Sequence, residues 1–325
     1  MLSPFAYVRA ESVGDAIRHL ASEGAVVHAG GTDLIGCLRD HVFDVKKVVS
    51  ISRLKSLTDI AKTKSGGMSI GALATVAEIA KNPLIRQHFA GLARAASEVA
   101  SPQLRNQGTL GGNLCQKPRC WYYRGEFHCI RKGGDQCYAM DGENAYHCIL
   151  GGSNCVIVHP SDTAPALASL DAQVHLQGPK GKRTVPADGF FLLPDFDPTR
   201  ETVLGPGEII THIELPAPSP GLRSSYRKVR GRRSWDFALA GVALALVFEG
   251  DRVTKARVFL SGAAPIPWHA REVEAVITGR TLTPEVIKRA ADVAVQRAQP
   301  LERNAYKIPL FRAVIEEELQ GIAQA

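Results

Sequence analysis

Six of the seven cysteines fall in one stretch, at Cys115, Cys120, Cys129, Cys137, Cys148 and Cys155, with spacing C-x4-C-x8-C-x7-C-x10-C-x6-C. Thiols at this density in a reducing compartment are metal ligands rather than disulfides. A reducing, cytoplasmic setting is the expectation, because Met1-Leu2-Ser3-Pro4-Phe5 shows no basic segment leading into an apolar run. The tight C-x2-C pairs of zinc modules do not occur in the stretch. Cys115 and Cys120 begin the plant-type iron–sulfur spacing C-x4-C-x2-C, but no cysteine completes it. An iron–sulfur cluster is the first reading, zinc the second and free thiols the third. Spacing alone leaves all three open.

A second kind of chemistry sits on glycine. Ala29-Gly30-Gly31-Thr32-Asp33 follows an apolar run, Ala25 to Ala29, that reads as a strand. Gly108-Thr109-Leu110-Gly111-Gly112-Asn113 repeats the pattern of a glycine pair, a hydroxyl residue and a short polar side chain. Paired glycines after a strand let the backbone turn sharply and turn its N–H groups toward phosphate oxygens. Neither loop has the Rossmann G-x-G-x-x-G spacing or a P-loop lysine. Two such loops in one domain could hold the two phosphates of a dinucleotide.

The elements that would position these residues are readable in outline. A helix starting at Ser12 is expected, then strands at 25–29, 48–51 and 68–72 and a short helix from Thr75 to Lys81. Apolar residues at helical spacing from Leu84 to Ala100 predict one long helix, ended by Ser101 to Asn106. The Cys-rich stretch has neither period and reads as a long functional loop. Beyond it, a helix at 162–170, strands at 173–177 and 209–215, and a hairpin turn at 178–181 are expected. Pro216-Ala217-Pro218-Ser219-Pro220-Gly221 is the best domain boundary. The rest predicts strands at 240–248 and 257–260 and helices at 283–297 and 309–319. Cys37 and Phe190-Phe191 read as core residues, and His128, His147 and His159 as hydrogen-bonded loop residues.

Composition bounds the function. The chain has 325 residues, 45% of them hydrophobic and 22% charged, as in a globular protein with well-formed cores. Its net charge of +7 is scattered apart from a cluster at 227–233, and no nucleic-acid-binding motif accompanies it. No run approaches a membrane span.

Taken together, Ala29 to Asp33, Arg105 to Asn113 and Ser161-Asp162 resemble the FAD-binding subunit of the molybdenum hydroxylases, the family of xanthine dehydrogenase, carbon monoxide dehydrogenase and bacterial aldehyde oxidoreductases. The resemblance covers essentially the whole chain. It implies an α+β protein: a vanillyl-alcohol-oxidase-type FAD domain of two α/β subdomains over 1–216, with a smaller α+β domain over 217–325. It assigns FAD to Ala29, Gly30, Gly31, Thr32, Asp33, Gly108, Thr109, Gly111, Gly112, Asn113 and Asp162. Lys228 and Arg232, with Arg233 and Asp236, match a loop that closes over the flavin. Cations placed there would stabilise its reduced anion.

Ordinary members pass directly from Gly-Gly-Asn to Ser-Asp, whereas this chain carries the Cys-rich insert, 114–158. Arg119-Cys120-Trp121-Tyr122, Cys129 to Cys137 and Cys155-Val156 resemble a sub-branch with an extra [4Fe-4S] cluster, as in the beta subunit of 4-hydroxybenzoyl-CoA reductase. By that resemblance the ligands are Cys120, Cys129, Cys137 and Cys155. Cys115 and Cys148 are left as free thiols, with Cys148 the alternative to Cys155. No catalytic residue is assigned. The implied partners are a molybdenum-cofactor subunit, a [2Fe-2S] subunit and an external carrier (ferredoxin, NAD, quinone or oxygen). Export to the periplasm with a signal-bearing partner is the alternative to cytoplasm. The competing functions are a self-sufficient FAD-dependent oxidase or dehydrogenase, and a flavoprotein with a structural zinc loop.

Overall fold

The computed structural model describes residues 2–324. Met1 and Ala325, the outer limits of the two expected domains, lie outside the described residues. Three sheets organise the chain. The first is a small parallel sheet of β1 (Ala6–Arg9), β2 (Ala25–His28) and β3 (Lys47–Ser50), in the order β1-β3-β2. The second is antiparallel, built from β4 (Ile60–Lys62), β5 (Met68–Gly71), β6 (Gln173–Gly178), β7 (Gly181–Pro186) and β8 (Ile209–Leu215), in the order β4-β5-β8-β6-β7. The third contains β9 (Leu222–Val229), β10 (Ala240–Glu249), β11 (Arg252–Ser261) and β12 (Trp268–His269), also antiparallel.

The second sheet alternates, with Val174 and Leu176 of β6 and Ile213 and Leu215 of β8 buried against helices Val76–Lys81, Ala90–Glu98 and Thr163–Ser169. Strand β10 does not alternate and is buried along nearly its whole length. Its Ala243 and Ala245 join that first core, while Val242, Leu244 and Leu246 join a second core with the C-terminal helices. A strand covered on both faces reads as a continuous apolar run, which is the sequence from Ala240 to Phe248. Gly91 lets helix Ala90–Glu98 lie directly on β9, since a Cβ there would come 2.9 Å from the Ser225 nitrogen.

Several expectations need correction. The single helix over 84–100 is two, Pro83–His88 and Ala90–Glu98, broken at Phe89 (φ −137°, ψ 52°). Phe89 is fully buried, so packing of the ring in the core accompanies a break that apolar spacing does not reveal. Ser101 does not simply end that helix; its side chain caps a new one, Pro102–Gln107, with proline at the tolerated first position. Strand β9 and helix Arg271–Ile277 were not expected, β11 is longer than 257–260, and the last helix runs over Lys307–Gln324. Helices Leu34–Arg39, Leu110–Leu114 and Trp121–Arg124 were not expected either, and Gly111-Gly112 lies in the second of these, capped by Thr109, rather than in a loop. Thr75 and Glu78 close a reciprocal capping box, and Phe190 and Phe191 are core residues.

Candidate functional site

The two glycine segments, the first a turn and the second the start of helix Leu110–Leu114, lie against each other. The Gln107 side chain donates to the Gly30 carbonyl at 3.1 Å, and a Cβ on Gly30 would sit 2.0 Å from the Gln107 carbonyl oxygen. Gly31 has φ +72°, a left-handed conformation that favours glycine. Gly111 backs onto Ala72, and Thr109 accepts from the Gly112 N–H at 3.2 Å. Both glycine pairs face the same space. One cavity of about 250 Å³ is lined by Ala29, Gly30, Gly31, Thr32, Gly111 and Gly112. A second, of about 470 Å³, shares Gly31, Thr32, Asp33, Thr109 and Gly112 with the first and extends past Gly108 and Asn113 to Asp162 and Trp235. A third, of about 440 Å³, continues from Asp162 past Arg232 and Asp236 to Cys120 and His147. The result is a long trough that begins at the glycine loops and ends at a cysteine of the insert.

The insert leaves and rejoins the domain at one polar node. Asn113 Oδ1 accepts from Ser161 Oγ and from Thr163 Oγ1, both at 2.6 Å. Beside it, Asp162 is 3% exposed, with Tyr226 donating to Oδ1 and Lys228 to Oδ2, both at 2.7 Å. Burial raises the Asp162 pKa against the opposing pull of Lys228. Lys228 is therefore not a free cation over the trough. Arg232 is the arginine of the 230–238 loop that lines the third cavity, lying 5.7 Å from the centroid of the Trp235 ring. Asp33, expected beside phosphate, turns its carboxylate to the insert. It accepts from Arg119 at 2.8 Å, Arg124 at 2.9 Å and the Lys117 N–H at 2.8 Å.

Within the insert, Cys129 and Cys155 are buried and Cys120 and Cys137 half-buried. Their thiols act on one another. Burial pushes Cys120 up to about 11, helped by the neighbouring Cys137 and Cys129. A hydrogen bond between Cys137 and Cys155 lowers Cys137 to about 6 and raises Cys155. Cys148 is raised to about 12 by burial, and its sulfur packs at Gly152 and Val156. Cys37 is a buried core residue, as expected, and accepts from Arg124 at 3.0 Å. Among the described residues no three Cys, His, Asp or Glu ligand atoms of the insert lie within 4.8 Å of one another. Tetrahedral zinc with Zn–S bonds of about 2.3 Å needs thiolates about 3.8 Å apart. No three of the cysteines are thus gathered as closely as a zinc site requires.

Sequence reasoning missed the residues that fasten the insert. Arg131, 2% exposed in its side chain, pairs with Glu201 at 2.6 Å, and Lys117 reaches the same carboxylate at 2.5 Å. Asn304 donates to the His147 and Cys148 carbonyls, and buried Lys307 to those of Tyr146 and Gly262. His147 Nε2 lies 3.3 Å from Cys120 Sγ. Only Arg119, adjacent to Cys120, carried any local signal.

Residues 3–218 match the family described as the FAD binding domain in molybdopterin dehydrogenase, and residues 224–317 match the CO dehydrogenase flavoprotein C-terminal domain. The chain belongs to this family of oxidoreductase flavoprotein subunits. Among its relatives, the aldehyde oxidoreductase FAD-binding subunit PaoB of Escherichia coli is 34% identical over 93% of each chain. The carbon monoxide dehydrogenase medium chain of Hydrogenophaga pseudoflava is 28% identical over 93% of this chain and 90% of that one. A solved carbon monoxide dehydrogenase from the same organism superimposes with a TM-score of 0.79 over 99% of this chain and 98% of that chain, at 27% identity. No helix among the described residues is long and apolar enough to cross a membrane.

Proposed function

We propose that the chain is the FAD- and [4Fe-4S]-containing electron-transfer subunit of a heteromeric molybdenum hydroxylase, working between a [2Fe-2S] subunit and an external donor or acceptor. The observation that carries this reading is the trough, in which Asp162, Arg232 and Cys120 line one cavity beyond the glycine loops. Gly30, Gly31, Gly111 and Gly112 would hold the FAD pyrophosphate, with Thr32, Thr109 and Asn113 at its edge and the Asp162 region toward the flavin ring. The fold of residues 1–216 is read as the vanillyl-alcohol-oxidase type, followed by the domain at 217–325. Cys120, Cys129, Cys137 and Cys155 would ligate the cluster, as the resemblance of the insert implies. Cys155 rather than Cys148 is taken as the fourth ligand because the resemblance of the insert places it there. Bound flavin supplies two-electron chemistry and an iron–sulfur cluster one-electron chemistry.

The chain's own residues prepare the site. Asp33 anchors the insert through Arg119 and Arg124, and Glu201 does so through Arg131 and Lys117. Both contacts keep the Cys120 end of the insert beside the trough. Iron and flavin analysis of anaerobically purified protein tests the reading, with about four irons per flavin and an EPR signal on reduction expected. Cys155→Ser should lose the iron and Cys148→Ser retain it. Flavin with zinc in place of iron, or iron loss in Cys148→Ser alone, overturns the ligand assignment.

A further inference from the structure

The second sheet carries a polar cluster on the face opposite its core, outside the three cavities of the trough. Alternation along β6 turns Val174 and Leu176 inward and His175 outward, while β8 turns Ile213 inward and leaves His212 and Glu214 half-buried. Antiparallel pairing sets His175 opposite His212 and Gln173 opposite Glu214. The two imidazoles stack with centroids 4.1 Å apart and planes 8° from parallel. His175 Nε2 is 3.4 Å from Glu214 Oε2, yet among the described residues it has no hydrogen-bond partner although it is shielded from water.

The far sides of both rings are held. Thr184 Oγ1 lies 3.1 Å from His175 Nδ1, and Thr211 Oγ1 lies 3.0 Å from His212 Nδ1. Thr211 spends its single hydroxyl proton on the His175 carbonyl at 3.2 Å. Its oxygen is therefore the acceptor toward His212, which puts the proton on His212 Nδ1 and the lone pair on Nε2. An imidazole whose Nδ1–H is tied to an oxygen while Nε2 is free is the arrangement found in protein metal ligands.

We propose that His175, His212 and Glu214 form a binding site for a divalent transition ion of the zinc class. Their ligand atoms lie within 4.8 Å of one another, and tilting the two rings out of their stack would point two nitrogens and one oxygen at one ion. Two imidazoles select against magnesium and calcium, which prefer all-oxygen shells. Three protein ligands leave a fourth position for water. The ion would clasp β6 to β8 next to the irregularity in their register at His175/Leu176.

The test uses the cofactor-loaded chain equilibrated with micromolar zinc chloride, gel-filtered and analysed for metal, with affinity read by competition against a chromophoric chelator. One zinc equivalent should disappear in His175→Gln and in His212→Gln, while Cys148→Ser keeps it. Thr211→Val should weaken zinc binding by about 10–100-fold without removing His212, the effect of losing a group that orients a ligand. Zinc should also raise the melting temperature of the parent chain but not of the histidine variants. Equal zinc content and affinity in the parent and both histidine variants would overturn the site, as would absence of bound zinc from the parent.

Discussion

Replacing Lys228 with methionine probes the Asp162 node directly. Lys228 and Asp162 are 1% and 5% exposed in their side chains, with Nζ 2.7 Å from Oδ2. The amine also donates to the Glu98 carbonyl at 3.2 Å. Methionine preserves the packed stem and deletes the charge, leaving Asp162 with Tyr226 alone. Breaking one side of a buried pair costs about 3–5 kcal/mol, because the remaining charge is uncompensated. Proton uptake by Asp162, whose pKa burial already raises, limits the loss. For 325 residues, an unfolding entropy of about 0.7 kcal/mol/K turns this cost into a fall in melting temperature of about 4–7 °C. Asp162→Asn in the Lys228→Met background removes the orphaned charge and should recover about 1–3 kcal/mol. Thermal and urea unfolding, with FAD in large constant excess so that cofactor linkage does not vary, give these differences. A single variant within about 1 kcal/mol of the parent, or a double variant no better than the single, refutes the reasoning.

Two further outcomes are expected. Burial depresses His159 to about 4, so the unfolded chain takes up a proton near pH 6.5 while the folded one does not. Stability from this group is complete above about pH 6.5 and is lost as pH falls through about 4, on the order of 3 kcal/mol in total. His159→Gln should flatten that acid slope in pH-dependent urea midpoints; an unchanged slope counts against the assignment. Gly30→Ala places a methyl against the Gln107 carbonyl and should part the two loops. The purified variant should then keep its circular dichroism but lose most of its flavin absorbance, and full retention of flavin would show that the loops do not form the cradle.

Legibility from sequence followed the range of the interactions. The glycine pairs, the short helix opening at Thr75 and the alternation of β6 are local demands of the backbone, so residue type and spacing carry them. Helix 84–100 was misread because apolar spacing continues through Phe89 while the backbone does not. Strand β9 was not legible because Tyr226 alone is buried in it and serine, arginine and lysine fill most of its other positions. The partners of Asp33 lie 84 and 91 residues away in sequence, and those of Asp162 lie 64 and 66 away. Local pattern contains no information at such separations. The cysteines were visible by residue type and Asp162 by resemblance, but what holds them was not.

The fastening of the insert to the C-terminal part also orders the life of the nascent chain. Ile149 and Leu150 belong to the second core, and their N–H groups both donate to the Ala263 carbonyl. Asn304 follows Cys148 by 156 residues. During synthesis the glycine loops and the second sheet are complete well before these contacts exist, since domains fold as they emerge. The last turns of the insert therefore stay open until the C-terminal helix has left the ribosome. Final packing of its cysteines is a late event of biogenesis, separable in time from closure of the glycine segments.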